Sequence, residues 1–311
     1  MEATDGPATD AMERSSAAPE ALPDRPRLVS VVIPMYNAGD VIGDQLEALA
    51  RQDYDGAWEV VVADNGSDDH GVEVVERYDA RLPSLRVVDA SDKQGASCAR
   101  NVGSRAARGD VLLYADADDM VPPDWVRALA GGLASADFVG GWRTDDHLRA
   151  TDVASTSSTL ATLPTSFGFL PWAFGGNLGV RTAVFHEVGG WCEDYPHGGD
   201  DIDFCWRVQL AGHPLLYVAE AAVRYRARET LGGLARQRFE FGSRAPMLFR
   251  EYQRFGAKRP PLRRAASTWF WVLTRVPYLL ASRRLRRRWV ATASGAAGRL
   301  WGSYRCRTAC L

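Results

Sequence analysis

Apolar and polar positions alternate in blocks along residues 28–140. Short apolar runs at 28–33, 58–63, 85–88, 111–114 and 138–139 read as strands. The segments between them, 41–51, 72–78, 96–107 and 124–133, read as helices. Strands alternating with helices of this length predict right-handed βαβ units and an open, mostly parallel sheet covered on both faces. A run such as Val111-Leu112-Leu113-Tyr114 fits a parallel strand buried on both sides. Ligands of such sheets sit outside the carboxyl ends of the strands, so chemistry is expected just after each run.

Polar clusters stand at those places. Pro34-Met35-Tyr36-Asn37 follows the first run, Asp64-Asn65-Gly66-Ser67-Asp68-Asp69 the second, and Asp116-Ala117-Asp118-Asp119 the fourth. Asn-Gly and Ser-Asp are ordinary turn pairs, but three clusters at one sheet edge predict a nucleotide or phosphate pocket. The third cluster is the most informative. If the strand continues through it, its period of two points the Asp116 and Asp118 carboxylates the same way. Two carboxylates suit a hard divalent cation shared with a substrate phosphate. The plain alternative is a polar turn leading into a helix at Pro122-Pro123.

Beyond Gly140 the alternation breaks. Residues 144–165 are polar and Ser/Thr-rich and read as a loop or lid. An apolar, glycine-rich stretch from Trp172 to Val180 follows. Then Gly198-Gly199-Asp200-Asp201-Ile202-Asp203 opens a helix extending to about Ala211. Capping by negative charge at a helix amino end explains Asp200 by itself, and not three acids in four residues.

Composition adds an asymmetry. The 311 residues carry a net charge of −2, yet from Lys258 onward there are 13 Lys or Arg and no Asp or Glu, leaving −15 for the rest. Five scattered cysteines match neither a disulfide framework nor a zinc site, which indicates a reducing, cytoplasmic setting. Residues 1–26 lack an apolar run and read as a disordered leader. The tail has aromatic residues at Trp269-Phe270-Trp271 and five arginines between Arg283 and Arg288. It reads either as an amphipathic segment lying on the inner face of an anionic membrane or as a structural cap; no nucleic-acid fold accompanies it.

Taken together, these motifs resemble the family 2 glycosyltransferases with their GT-A fold. Val29 to Asn37 is similar to the family's opening strand and nucleotide-contacting turn, and Glu59 to Asp69 to its second strand and base-binding aspartate. Gly95 to Gly103 matches the donor-site helix, Asp116-Ala117-Asp118-Asp119 the Asp-x-Asp metal motif, and Gly189-Gly190-Trp191 with Asp200 to Arg207 the acceptor-side motif. Asp200 stands where many members carry Glu. The resemblance spans residues 28–227. It implies a catalytic domain over residues 27–228, with a nucleotide-sugar half (27–140) and an acceptor half (141–228), followed by a basic helical extension over 229–311.

The resemblance further implies transfer of a sugar, with inversion, from a nucleotide-diphosphate donor to a hydroxyl of a glycan or lipid-linked acceptor, as in cell-envelope polysaccharide synthesis. Asp116 and Asp118 would hold Mn²⁺ or Mg²⁺, and Asp201 would be the general base. Pro34, Tyr36, Asn37, Asp64, Asn65 and Arg100 belong on the donor side. Trp172, Asn177, Asp200 and Trp206 belong on the acceptor side. Several alternatives stay open: an Asx-turn for Asp64, a core-edge role for Tyr36, a core role for Trp206 and a capping role for Asp119. Among the histidines only His197, near Asp201, is placed to touch an acceptor. A nucleotidyltransferase or a silent sugar- or lipid-binding module are the rival functions.

Overall fold

The apolar runs form strands, the first, second and fourth buried on both faces and the third, at the sheet edge, partly exposed. In the computed structural model, which describes residues 25–145, 162–195 and 198–310, they are β1 (Val29–Met35), β2 (Trp58–Asp64), β3 (Leu85–Asp89), β4 (Val111–Ala115) and β5 (Phe138–Asp145). Two further strands follow, β6 (Asn177–Arg181) and β7 (Leu215–Tyr225). The helices of the first half are α1 (Ile42–Leu49), α2 (Gly71–Glu76), α3 (Ala96–Ala106) and α4 (Trp125–Leu133). Next come α5 (Thr182–Glu187) and α6 (Asp200–Leu210), then α7 (Leu231–Tyr252), α8 (Leu262–Thr274) and α9 (Arg283–Arg305). The leader, most of the Ser/Thr-rich stretch and His197 lie outside the described residues.

The described strands make one sheet in the order β3-β2-β1-β4-β6-β5-β7. β1 pairs in parallel with both β2 and β4, so the chain reverses its direction of travel across the sheet between them. That reversal is the topological switch point where such sheets bind ligands. β6 runs antiparallel to both β4 and β5, which makes the sheet mixed. The sequence hides this strand because it is short and interrupted by Gly179, where a Cβ would press into the Leu113 side chain at 2.6 Å.

Strand parity divides the core into two layers. Val29, Val31 and Ile33 of β1, with Val111 and Leu113 of β4, pack with Ile42 and Leu46 of α1 and Trp125 and Leu129 of α4. Val32, Leu112 and Tyr114 face the other way, onto Trp191, Phe204 and Val208. Trp191 stacks on Phe204 at 4.3 Å and meets the Tyr114 edge at 5.0 Å, so α6 is clamped to β4 by aromatic contact.

The basic extension is helical and attached to the body. Along α7 and α9, glycines bring the backbones together: a Cβ on Gly298 would overlap the Phe239 carbonyl, and one on Gly302 the Ser243 carbonyl. The Tyr252 hydroxyl of α7 donates to Asp203 Oδ1 of α6 at 2.6 Å. Asp203 also accepts from Arg207 Nε at 2.8 Å, so this buried carboxylate is structural.

Two residues expected at the sugar site are struts instead. Trp206 is fully buried and donates its indole N–H to the Leu170 carbonyl at 2.9 Å. Asn177 is also buried; its Oδ1 accepts from Trp125 Nε1 at 2.8 Å, and its Nδ2 donates to the carbonyls of Trp142 at 2.6 Å and Ala221 at 2.7 Å. Every polar atom of that side chain is occupied in joining α4, β5 and β7. Asn177→Ala leaves three buried groups unpartnered, and a loss of about 3 kcal/mol of stability is expected. The midpoint of urea unfolding measures it, and an unchanged midpoint contradicts the strut assignment.

Candidate active site

The carboxyl ends of β1, β2 and β4 open on one crevice, and α3 and α6 point their amino-terminal turns toward it. Asp116 lies just past β4, with the parity of Leu112 and Tyr114, and therefore on the α3 and α6 side. There it meets Arg100 of α3, whose Nη2 donates to Asp116 Oδ1 at 2.7 Å. The other end of the guanidinium, Nη1, donates to Asp200 Oδ2 of α6 at 2.8 Å. Arg100 is 5% exposed and rests on the Trp191 ring, with Cζ 4.7 Å from its centroid. Burial works against this charge, and Asp116 and Asp200 more than offset it, raising the guanidinium's pKa.

The Asp-x-Asp pair does not lie on the strand. β4 ends at Ala115 and the chain turns, so the strand's period of two does not set the two carboxylates, and each meets a different arginine. Asp118 pairs with Arg228 at 3.2 Å, and its backbone carbonyl accepts from Arg226 Nε at 3.0 Å. Asp119 accepts from the Arg226 backbone N–H at 3.0 Å and does not cap α4, which begins later, at Trp125. Burial and the neighbouring Asp116 and Asp118 charges push Asp119 up to about 8, and burial with Asp116 raises Asp118.

On the facing side, Gly199 in a left-handed conformation (φ 91°) turns the chain into α6. Burial, then the adjacent Asp200 charge, pushes Asp201 up to about 7; its Oδ1 accepts from the Ile202 N–H at 2.9 Å. Burial also raises Asp200, against the pull of Arg100.

The first two loops are laced to each other. Asn37, at φ 48°, donates its N–H to Ser67 Oγ at 3.0 Å and accepts at Oδ1 from the Asp68 N–H at 3.0 Å. Asp64 Oδ1 accepts from both the N–H and the hydroxyl of Ser67, which leaves the carboxylate at the crevice edge. Tyr36 is 52% exposed, which excludes the core-edge reading, and Pro34 beside it is half-buried. Asn65 is not a ligand-facing residue. It is buried, accepts from the Gly95 N–H at 2.7 Å and donates to the Ala90 and Lys93 carbonyls, so it fixes the entry to α3. Trp172 is half-buried, packed edge-on to Phe174 at 5.1 Å, and its indole donates to Ser166 Oγ.

Three arginines escape a motif reading. Arg226 and Arg228 follow β7, and Arg143 of β5 lies between the rings of Phe174 (3.9 Å) and Tyr225 (4.3 Å). The signal was present for two of them: Arg226 and Arg228 come immediately after an apolar stretch, where a strand-end rule applies.

The metal question turns on the donor set. Among the described residues no group of three or more His, Cys, Asp or Glu surrounds a common point. Asp116 and Asp118 alone fit a cation that takes one or two carboxylates and completes its shell from phosphate and water, and do not fit a closed protein cage. Burial, then the nearby Asp116 charge, raises Asp118, and a cation bound there would favour its charged form.

A mixed α/β sheet with carboxylates gathered past the carboxyl ends of its strands is the architecture of the GT-A fold. The family model described as Glycosyl transferase family 2 matches residues 30–176, and that of Glycosyl transferase family group 2 matches residues 111–305. The chain belongs to the family 2 glycosyltransferases. It is 28% identical over 250 residues to glycosyltransferase AglE of Haloferax volcanii, covering 79% of this chain and 80% of that one. Validoxylamine A glucosyltransferase of Streptomyces hygroscopicus subsp. jinggangensis is 29% identical over 232 residues, 62% of this chain and 54% of that one. Other relatives match over shorter stretches: the alignment with YibD of Escherichia coli, at 38% identity, spans 29% of YibD.

Among solved structures, the mannosyltransferase PcManGT of Pyrobaculum calidifontis, in complex with GDP-Man and Mn²⁺, superposes with a TM-score of 0.65 at 20% identity, over 90% of this chain and 88% of that one. S. aureus TarS 1–349 gives 0.53 at 19% identity, over 90% and 92%. These likenesses establish the fold.

The site's most sensitive backbone position is Gly176, at the start of the β6 pairing with β4. A Cβ there would overlap the Asp116 carboxylate. Gly176→Ala is expected to swing Asp116 off Arg100 and lower turnover about 10²-fold, the cost of an ångström-scale misplacement, with a cooperative thermal transition retained. Steady-state kinetics beside a melting curve test this; unchanged turnover would separate Asp116 from the chemistry.

Proposed function

We propose that the chain transfers a hexosyl group from a nucleoside-diphosphate sugar to an acceptor hydroxyl on a glycan or lipid-linked acceptor, with inversion. The observation that carries this reading is the Arg100 bridge, which joins Asp116 on the donor loop to Asp200 on the acceptor-side helix. It sets the two halves of the reaction across one guanidinium. The diphosphate leaving group departs with growing negative charge, which positive charge offsets, and Arg226, Arg228 and Arg100 surround the loop that would receive it.

The roles follow from position. Asp64 accepts from the nucleotide base, with Tyr36 against base or ribose and Pro34 and Asn37 shaping the turn. Asp116 and Asp118 hold the divalent cation, Mn²⁺ or Mg²⁺, which when bound supplies charge to offset the departing diphosphate. Asp201 takes the proton of the acceptor hydroxyl. The oxygen then forms its bond to the anomeric carbon as the bond to the β-phosphate oxygen breaks on the opposite face, and the configuration inverts. The rise of Asp201 to about 7 suits a base, since a carboxylate at its ordinary value holds a proton too weakly. Trp172 offers an aromatic face on the acceptor side.

GDP-Man with Mn²⁺ in the solved PcManGT structure, and UDP-GlcNAc in that of TarS, guide the choice of donors to assay. With the donor that turns over, Asp118→Asn is expected to remove most donor affinity and turnover with the fold retained. Full activity in excess chelator would exclude the cation role.

The base makes a pH prediction. Asp201 must be ionised to accept a proton, so turnover is expected to rise as pH climbs through about 7 and to fall away below it. Asp201→Asn should depress turnover by about 10²–10⁴-fold, flatten that rise and spare donor affinity. Loss of donor binding with an intact pH profile assigns Asp201 to binding instead.

A further inference from the structure

The arginine-rich extension has no part in the chemistry above, and its surface is unlike the rest of the molecule. Along α8, Leu262, Ala266, Phe270 and Leu273 recur at helical spacing on one face and are all exposed; Leu262, Phe270 and Leu273 are 66%, 68% and 69% accessible. The short turn that follows continues the ridge with Val276 and with Leu280, which is 94% accessible. The sequence suggested that Trp269, Phe270 and Trp271 act together, but the structure separates them. Trp271 is covered by Arg275 and Arg288 and packs edge-on to Tyr278, and Trp269 is half-buried. Phe270 alone of the three is free to insert.

Arginines border this ridge. Arg263 and Arg264 lie on α8, and Arg283 and Arg284 open α9, all exposed. Beside them a cavity of about 260 Å³ is lined by Arg283, Arg286 and Arg287 with Glu229 and Leu231. Arg286 Nε is buried there without a partner, while Arg287 donates to the Arg228 and Glu229 carbonyls. Arg228 is the residue that pairs with Asp118, so the cavity and the metal loop share one short segment.

We propose that the face formed by α8, its following turn and the start of α9 docks on an anionic phospholipid bilayer. Its apolar ridge enters the acyl boundary, and its arginines take the headgroup phosphates. Charge complementarity favours this occupant: the ridge is rimmed by guanidinium groups, and a bilayer supplies both apolar depth and phosphate. Among the described residues no helix is long and apolar enough to cross a membrane, which fits a segment lying in the interface. The inference deepens the transfer reading, on which it rests only for its consequence, that the catalytic crevice is held near a lipid-borne acceptor.

Sedimentation of the full chain with vesicles tests the docking without requiring turnover, so its failure and that of the transfer reading are distinguishable. Phosphatidylcholine mixed with phosphatidylglycerol is expected to bring the protein down at low salt, and phosphatidylcholine alone is not. Arg283→Gln with Arg284→Gln should weaken partitioning about fivefold per arginine, and high salt should weaken the parent similarly. Phe270→Ser with Leu280→Ser should weaken it more than about tenfold, with the circular dichroism spectrum and the turnover of a water-soluble acceptor unchanged. Recovery of the parent in the supernatant at low salt overturns the proposal, and so does equal sedimentation of the Phe270→Ser, Leu280→Ser protein. A dimer in size-exclusion chromatography that this double substitution converts to monomer overturns it in favour of a subunit interface.

Discussion

One buried guanidinium holds the site together. Arg100 leaves water almost completely, a costly step for a charge unless carboxylates meet it. Asp116 and Asp200 do so at 2.7 and 2.8 Å from opposite sides of the crevice. The neighbouring backbone is shaped to allow it. Gly175 lies against the guanidinium, where a Cβ would stand 3.1 Å from Cζ, and Gly176 gives room to the Asp116 carboxylate. Trp191 closes the remaining face. Removing the arginine would strand two acids that are already crowded, which is why the loop after β4 and the first turn of α6 behave as one unit.

The same crowding explains the electrostatics. Asp116, Asp118, Asp119, Asp200 and Asp201 converge from two distant segments, and burial raises four of them, Asp118, Asp119, Asp200 and Asp201. Arginines from β5, α3 and the segment after β7 stand against this negative charge. Such a balance is poor for stability, and perturbed carboxylates of this kind cluster at functional sites. The helical extension stiffens the arrangement from outside: Tyr252 holds Asp203, and Asp203 with Arg207 steadies the helix that presents Asp201.

The extension has two surfaces with opposite logic. Inside it, glycines bring α7 and α9 into backbone contact, leaving no space for large side chains. On its outside, large apolar side chains and arginines are exposed together.

What the sequence by itself determined is local. Most strands and helices of the first half lie within a few residues of the expected spans, because buried strands leave continuous apolar runs; β5 is the exception, running six residues past the expected 138–139. The clusters after β1, β2 and β4 meet at one edge because parallel strands end together. Partner choice was decided by the tertiary structure. Asn65, Asn177 and Trp206 carry the same side chains a sugar site would use, yet their polar atoms meet buried carbonyls and N–H groups from segments up to dozens of residues away. The antiparallel β6 and the pairing of Asp116 with Arg100 and of Asp118 with Arg228 depend on contacts that no local pattern encodes. Periodicity reports which side chains are buried, and only the assembled sheet decides which of them touch.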